Sequence, residues 1–362
     1  MSDLVIPATA ALLVTLVAGW PVQRVLAHCG IVDRPNARSS HSQPTVRGGG
    51  VAILLAVVLA SAMAANGQGK VAVLTTMLAA ACILGVLSFA DDLQSLRPSV
   101  RFGAHALAAL AVLFALGWPA LGVGLTANHL ITLPSILSAL VAFLWIAGYT
   151  NAFNFMDGIN GIAASQAALT GLGTAAIYRV STGSGDGWPA VLALAISGAA
   201  LGFLPYNFPR ARMFMGDVGS APLGFLLASL TLWTAQKAGW ELLLPLALLH
   251  ANFVLDTGLT LGRRILRGER WYEAHRDHFY QRLIRAGKSH TFVTGWEMAL
   301  QGGVLLMMLL YLQMGPGVRA LLIVGVLLIW LVFFACCETA FRKSKAGQSQ
   351  NTMACPGVRS SA

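Results

Sequence analysis

The chain contains 362 residues, of which 56% are hydrophobic and only 10% are charged, and its mean hydropathy is +0.69. Soluble domains carry about a quarter charged residues, so this composition excludes an ordinary soluble protein and indicates an integral membrane protein. The net charge of +10 is explained by membrane topology and contact with anionic lipid, and it does not indicate a nucleic-acid-binding protein.

Apolar runs close to the roughly 20 residues that span a bilayer recur along the whole chain. They predict an all-α, polytopic integral membrane protein, because a helix satisfies its backbone polar groups within its own segment. Residues 1–341 are expected to form one transmembrane catalytic domain, and the polar segment 342–362 a disordered tail. We expect about eleven transmembrane helices, near residues 4–27, 48–66, 70–90, 102–118, 130–150, 161–179, 188–205, 219–236, 240–262, 291–314 and 317–338.

Basic residues are divided unevenly between the two sides of this predicted topology. Twenty of the 24 Lys and Arg residues fall on one side, and only Lys70, Arg179, Lys237 and Arg319 fall on the other. The positive-inside rule makes the basic side cytoplasmic. An odd number of spans then places the N-terminus outside and the C-terminus in the cytoplasm.

The chemically rich loops all lie on the predicted cytoplasmic side. In the first of them, Thr45 and Arg47 precede Gly48-Gly49-Gly50, which opens a helix. Such a stretch could cradle phosphate through its backbone N–H groups, or it could simply be a solvated loop, and the two interpretations are equally open. The five loops are residues 28–48, 91–101, 151–160, 206–218 and 263–290.

These loops supply the acidic residues Asp91, Asp92, Asp157 and Asp217. Adjacent helical positions diverge by about 100°, so one of Asp91 and Asp92 is expected to face a site while the other pairs with a nearby Arg. An acidic pair at a helix end without a function is the alternative. Carboxylate oxygens suit Mg²⁺, and Mg²⁺ beside Arg at a membrane face is typical of phosphoryl transfer.

The long basic loop contains His275-Arg276-Asp277-His278. On a helix the two His side chains would share one face, but a zinc site lacks a strong third ligand nearby. An Arg- and His-rich surface for polyanions is favoured, and a surface for lipid head groups is the alternative. The glycine motifs of nucleotide-driven pumps are absent from the sequence.

Four stretches of the sequence, in this order, resemble the polyprenyl-phosphate N-acetylhexosamine-1-phosphate transferases. They are FADDLQSLRPSVRF, NAFNFMDGINGIA, RMFMGDVGSAPLGF and AHRDHFYQRL. That family includes the phospho-N-acetylmuramoyl-pentapeptide transferase and the enzymes that initiate O-antigen chains, and the forms seen here are most similar to the O-antigen branch. The resemblance covers roughly residues 30–340.

The resemblance implies transfer of a sugar 1-phosphate from a UDP-sugar to undecaprenyl phosphate, with release of UMP and with Mg²⁺ as cofactor, for which Mn²⁺ could substitute. It implies Asp217 as the metal ligand, and Asp91, Asp92 and Asp157 as catalytic residues. The substrate-binding residues that we expect are Thr45, Arg47, Asn154, Asn160, Arg212, Phe214, His275, Arg276 and His278. Phe214 is expected to stack on uracil.

Asn160 departs from the pattern of many relatives, which have a second Asp in Asp-Gly-x-Asp-Gly. That acid is associated with uracil recognition. An amide oxygen can still accept from the uracil N3–H group, so we expect uridine binding to be retained.

The expected partners are a UDP-N-acetylhexosamine of the GlcNAc, FucNAc or QuiNAc type, undecaprenyl phosphate and membrane lipids, with no nucleic acid and with a homodimer left open. The expected location is the bacterial inner membrane, with the active site facing the cytoplasm. A phospho-N-acetylmuramoyl-pentapeptide transferase is one alternative, and a secondary transporter or lipid carrier is another. A transporter would place ionisable groups near the membrane midplane, where His250 and Asp256 are the main candidates.

Overall fold

The computed structural model describes residues 2–35, 43–64, 71–94, 96–184, 187–270 and 275–354. This part of the chain is almost entirely helical. Its α-helices are α1 (Ser2–His28), α2 (Gly50–Ala64), α3 (Ala72–Gln94), α4 (Pro98–Ala115), α5 (Ser135–Met156), α6 (Ile162–Thr182), α7 (Trp188–Asn207), α8 (Asp217–Ala238), α9 (Leu243–Leu248), α10 (Ala251–Leu266), α11 (Phe279–Arg285), α12 (His290–Gln313) and α13 (Pro316–Ala354). Two short 3-10 helices cover Ala127–His129 and Trp240–Leu242.

Each of the eleven predicted apolar segments corresponds to helical structure, which confirms an all-α, polytopic membrane protein. By length and composition, eight helices in the described residues could cross a membrane: α1, α3, α4, α5, α7, α8, α12 and α13. The bent pair of α9 and α10 makes nine, while α2 is apolar but shorter. The count of eleven is therefore higher than the number of helices that meet these criteria.

The predicted span over residues 240–262 is broken. The segments Trp240–Leu248 and Ala251–Leu266 meet at an angle of 71°. Hydropathy did not reveal the break because both halves are apolar. At the break, the Leu249 carbonyl accepts hydrogen bonds from side chains of two other helices, Gln166 on α6 and Gln301 on α12.

Helix α8 is the centre of the bundle, since nearly all its residues from Val218 to Ala235 are buried. It packs against α3 and α5, with α2, α6 and α7 also in contact. The outer helices instead expose large apolar side chains such as Ile136, Phe114 and Leu321. A helix that is buried on every side fixes the position of whatever its ends carry.

Very short strands join the loops at one end of the bundle. Strand β2 (Thr45–Arg47) pairs antiparallel with β1 (Val32–Asp33) and parallel with β5 (Met213–Phe214). A separate hairpin is formed by β3 (Gly122–Val123) and β4 (Ile131–Thr132). The first sheet brings the first and fourth predicted cytoplasmic loops together.

Helix α13 extends past residue 341, where the transmembrane domain was expected to end, and the disordered tail over 342–362 stays a prediction. Helix α13 continues to Ala354, and no proline interrupts the chain between Phe341 and Pro356. Residues 355–362 lie outside the described part of the chain.

Candidate active site

The central helix begins at the candidate site. Asp217 is the first residue of α8, where a negative charge is favoured by the helix dipole. Asp92, near the end of α3, accepts hydrogen bonds from the backbone N–H groups of Asp217 and Val218, both at 3.4 Å. Asp92 therefore caps the start of α8, the helix that carries Asp217.

Arg47 bridges these two carboxylates. Its Nη2 atom lies 2.7 Å from Asp92 Oδ1 and 2.7 Å from Asp217 Oδ1. Asp92 is almost fully buried, whereas the Asp217 side chain is 23% exposed. The two carboxylates thus share one cation position, and Asp217 is the one that a ligand can reach.

Asp91 has a different environment from Asp92. It forms an ion pair with Arg101 at 3.0 Å and accepts the Leu96 N–H at 2.6 Å. The divergence of adjacent helical residues explains this division. Asp91, expected to be catalytic, is thus placed in a contact with the start of α4 and outside the Arg47 bridge.

Asp157 follows the last residue of α5 and is partly buried beside the bridged pair. Burial raises the pKa of its carboxyl group well above the usual value, and the nearby Asp217 and Asp92 charges raise this pKa further, while Arg47 opposes them. Three carboxyl groups therefore lie within electrostatic reach of one guanidinium.

The stretch around Asp157 is tied to the rest of the site by amides. Asn154 Nδ2 donates to Ser220 Oγ at 2.9 Å, which links α5 to α8. Asn160 Nδ2 donates to the Pro209 carbonyl at 3.1 Å, and its own carbonyl accepts from Thr294 Oγ1 at 2.7 Å. Asn160 thus has a structural contact that the sequence did not predict.

The triple glycine does not form a phosphate cradle. The N–H groups of Gly48 and Gly49 donate to the Phe214 carbonyl, and that of Gly50 donates to the Met215 carbonyl. A Cβ atom at Gly50 would clash with the backbone of Gly219. These glycines therefore allow α2 to start directly against α8, and their donors are used within the fold.

The basic loop approaches the site through Tyr280 on α11. Tyr280 Oη donates to the Phe155 carbonyl at 3.0 Å and lies where a side chain on Gly158 would be. This contact is why residue 158 has no room for a Cβ atom. Residues 271–274 of the loop lie outside the described part.

His275 and His278 are not on one helix face, since α11 begins only at Phe279. Their rings are 5.0 Å apart between centroids. His278 is buried and its Nδ1 atom is 2.9 Å from Asp256 Oδ1, whereas His275 is partly exposed. Burial lowers the pKa of His275 to about 4, and the nearby His278 and Arg264 charges act in the same direction.

Asp256, named above as a candidate ionisable group of a transporter, is surrounded by hydrogen-bond donors. Its carboxylate accepts from the N–H groups of Phe279 and Tyr280 and from Thr260 Oγ1, besides its contact with His278. It fixes the start of α11 and the side chain of His278. Arg276 lies beside them, partly buried, and its carbonyl accepts from Arg285.

Of the remaining predicted substrate-binding residues, Phe214 and Thr45 lie on the strands next to Arg47, whereas Arg212 has contacts elsewhere. Phe214 pairs with Arg47 across β5 and β2 and is partly buried, and Thr45 lies in the same strand as Arg47. Arg212 is held elsewhere: its Nη2 atom donates to the Pro205 carbonyl at 2.8 Å, and its guanidinium lies over the Tyr206 ring. None of the contacts described for Arg212 reaches an acid.

Asn207 is a site residue that the sequence analysis missed. Its Oδ1 atom accepts the Gly161 N–H at 2.6 Å and its Nδ2 atom donates to the Met213 carbonyl at 3.0 Å. It therefore joins the third and fourth loops. An Asn directly before Phe-Pro at the end of an apolar run was the available signal.

The acidic cluster fits Mg²⁺. In the described ranges, no group of three or more His, Cys, Asp or Glu side chains is arranged to hold a metal ion. Mg²⁺ does not need one, because it is usually held by one or two carboxylates, with waters and substrate phosphates as further ligands. Asp92 and Asp217 already converge on one cationic atom, and Asp157 leaves the cluster with excess negative charge.

Comparisons with known proteins agree with this arrangement. The sequence profile of glycosyl transferase family 4 matches residues 74–235. A decaprenyl-phosphate N-acetylglucosaminephosphotransferase of Mycobacterium tuberculosis is 31% identical over 318 residues, which cover 80% of this chain and 78% of the relative. A probable undecaprenyl-phosphate N-acetylglucosaminyl 1-phosphate transferase of Bacillus subtilis is 30% identical, with 80% of both chains covered.

A similarity over a shorter part of the chain extends to another branch of the family. The phospho-N-acetylmuramoyl-pentapeptide-transferase of Acaryochloris marina is 32% identical over 253 residues, covering 65% of this chain and 66% of the relative. The residues that match the family profile include Asp91 and Asp92 on α3, Asp157 directly after α5, and Asp217 on α8. The chain belongs to glycosyl transferase family 4, and it is a multi-pass membrane transferase of the polyprenyl-phosphate sugar-phosphate type.

Proposed function

We propose that the protein transfers an N-acetylhexosamine 1-phosphate from a UDP-sugar to undecaprenyl phosphate, releases UMP, and so initiates a lipid-linked surface polysaccharide such as O-antigen. The observation that carries this proposal is the Arg47 bridge between Asp92 and Asp217 at the buried start of α8. The relatives that transfer N-acetylglucosamine phosphate support a GlcNAc-type donor. FucNAc and QuiNAc donors remain within the proposal.

The arrangement of charge suits a reaction between two phosphate-bearing molecules. Such reactants repel one another, so cationic groups must offset their charge before in-line attack. Arg47 supplies one fixed positive charge, and Asp92 and Asp217 would hold Mg²⁺, which neutralises charge on the transferred phosphoryl group when bound. Mn²⁺ would substitute because it accepts the same oxygen ligands.

The protein's own residues hold the substrates around this point. Asp217 is the reachable carboxylate, and Asp92 fixes the start of α8 through its backbone contacts. Asp157 and Asn154 form the neighbouring wall, which would face the nucleotide sugar. Phe214 lies beside Arg47, where a uracil ring could stack on it.

The lipid phosphate is already a competent nucleophile, so no strong general base is required. Asp91 is held by Arg101, and in this proposal it positions α4 rather than accepting a proton. We infer direct transfer to the lipid phosphate. The cytoplasmic position of the site follows, in the proposal, from the bias in basic residues and from the water-soluble donor.

The test is a transferase assay with purified protein, undecaprenyl phosphate and Mg²⁺. Separate reactions receive UDP-GlcNAc, UDP-FucNAc, UDP-QuiNAc or UDP-N-acetylmuramoyl-pentapeptide, and the release of UMP is measured. We expect UMP with an N-acetylhexosamine donor and its loss on addition of EDTA. Release with the muramoyl-pentapeptide alone would assign the other branch, and no release with any donor would contradict the proposal.

A further inference from the structure

A cluster of buried polar side chains lies where α6, α10 and α12 meet, beside the break between α9 and α10. Its members are Gln166 on α6, Asn252 on α10, and Glu297 and Gln301 on α12, each at most 4% exposed. They line a cavity of about 10 Å³, as traced by the centre of a water-sized sphere. That volume is close to the lower limit for one water molecule or one small ion.

Hydrogen bonds to the helix break fix the orientation of the amides. The Leu249 carbonyl accepts from Gln166 Nε2 at 2.9 Å and from Gln301 Nε2 at 2.6 Å. Because a carbonyl only accepts, both amides must present their NH₂ groups to it. Gln166 Oε1 is then the acceptor for Asn252 Nδ2, at 2.9 Å. The amide atoms left over on Asn252 and Gln301 are therefore oxygens.

Three buried oxygens of this cluster have no hydrogen-bond partner among the described residues: Asn252 Oδ1, Glu297 Oε2 and Gln301 Oε1. All three are acceptors in the amide orientations given above, and the Asn252 side chain is a hydrogen-bond partner of the Glu297 carboxyl group, of which Oε2 is left without one. No Lys, Arg or His is among the residues that line the cavity. Unpartnered acceptor oxygens around one cavity inside the helix bundle call for a positive charge or a proton.

We propose that this cavity binds one small monovalent cation, Na⁺ or K⁺, through oxygens of Glu297, Asn252 and Gln301. Hard cations take carboxylate and amide oxygens as ligands. The single carboxylate in the cavity matches a single positive charge, so the occupied site is neutral within the membrane. The acid on α10, Asp256, already accepts hydrogen bonds from four partners of its own.

The bound cation would position two segments that border the active site, the one around Asn160 and the one that carries Tyr280. On α12, Thr294 donates to the Asn160 carbonyl at 2.7 Å, and Glu297 lies one turn further along. On α10, Asn252 lies one turn before Asp256, which holds the start of α11. A cation shared by α10 and α12 therefore ties the segment around Asn160 to the segment that carries Tyr280.

The experiment measures cation binding directly, independently of transferase activity. Purified protein in EDTA is heated in N-methyl-D-glucamine chloride, NaCl or KCl at equal ionic strength. N-methyl-D-glucamine is too large for the cavity, so it serves as the reference cation. We expect the apparent melting temperature to rise with the logarithm of the Na⁺ or K⁺ concentration, by about 2 °C per tenfold. Binding of ²²Na⁺, with and without excess K⁺, identifies the preferred ion.

Glu297→Gln is the decisive variant. Its amide can donate to the neighbouring acceptors, so the protein should fold without a cation, and both the temperature shift and ²²Na⁺ binding should disappear. Glu241→Gln, which changes an acid outside the cavity, should keep both. Gln301→Met removes one ligand oxygen and should weaken ²²Na⁺ binding about tenfold.

Two results would overturn the proposal. One is a wild-type protein that binds no ²²Na⁺ and melts at the same temperature in all three salts, which would assign the cavity to a protonated Glu297 with water. The other is an unchanged cation response in Glu297→Gln. The ²²Na⁺ measurement on the wild type decides the question if the variants do not fold.

Discussion

Asp217 and Asp256 are both aspartates on helices of the membrane bundle, and the structure treats them in opposite ways. Asp217 shares one guanidinium with Asp92 and is partly exposed. Asp256 is fully buried and accepts from two backbone N–H groups, a hydroxyl and His278. Asp217 is therefore the acid that a ligand can reach, whereas the carboxylate of Asp256 is taken up by contacts within the fold.

The largest expected effect is a loss of transferase activity when Asp217, and not Asp256, is replaced. Asp217→Asn should lower UMP release by about 10²- to 10³-fold, the typical loss when one electrostatic contact to the transition state is removed. Its melting temperature should change little, because Arg47 keeps its contact with Asp92.

Asp256→Asn is the matched variant. It removes charge-assisted hydrogen bonds at a buried position, so the free energy of unfolding should fall by about 3 kcal/mol. Thermal unfolding of both variants, with transferase assays at a temperature where both are folded, measures the contrast. Equal losses of stability in Asp217→Asn and Asp256→Asn would contradict the different roles given to these two acids.

The adjacent pair on α3 provides the second test. Asp92→Asn should reduce activity about 100-fold, since Asp92 shares the cation position with Asp217. Asp91→Asn should cost less than about tenfold, because a partly exposed ion pair with Arg101 contributes little. Steady-state UMP release gives both values, and a larger loss for Asp91→Asn would reverse the proposed roles.

Asn160 is expected to show a smaller effect. The sequence suggested that an acid would fit at this position, but Asn160 Nδ2 donates to the Pro209 carbonyl. Asn160→Asp would place a carboxylate oxygen against that carbonyl, so kcat/KM should fall about tenfold, equivalent to about 1.4 kcal/mol. The control is Asn128→Asp, on an exposed segment of the predicted outer side. Wild-type activity in Asn160→Asp would show that the Pro209 contact is dispensable.

The smallest effect concerns the pH dependence of stability. The pKa of His275 is lowered to about 4 in the folded protein, whereas an unfolded His has a pKa near 6.5. Between these values the unfolded chain binds more protons, so stability is complete above pH 6.5 and decreases as the pH falls toward 4. Because only one proton is involved, the slope cannot exceed about 1.4 kcal/mol per pH unit, and partial exposure of the side chain lowers it further. The melting temperature should therefore depend less on pH in His275→Gln than in the wild type. An unchanged pH dependence would show that His275 is not its cause.

The sequence predicted the helices and the convergence of the loops well, for identifiable reasons. Apolar runs of bilayer length mark helices regardless of their packing, and one-sided placement of Asp92, Asp157 and Asp217 implied a shared site. The motif resemblance was confirmed by the family comparison.

The remaining features depend on contacts that hydropathy and motif spacing do not encode. The bend after α9 lies inside a continuous apolar run, and the bridging role of Arg47 depends on the register of β2 with β5. The glycine N–H groups, for which a phosphate cradle and a solvated loop were equally open interpretations, donate to the carbonyls of Phe214 and Met215. In each case a tertiary partner decided between local alternatives that the sequence left open.

The parallel pairing of β2 with β5 has a consequence for biosynthesis. Arg47 and Asp217 are 170 positions apart, and the strand that sets the position of Arg47 has no parallel partner until Met213 and Phe214 have been made. The chain through α7 and β5 must therefore be synthesised before the acidic centre can form. A nascent chain arrested before residue 213 carries no assembled transferase site.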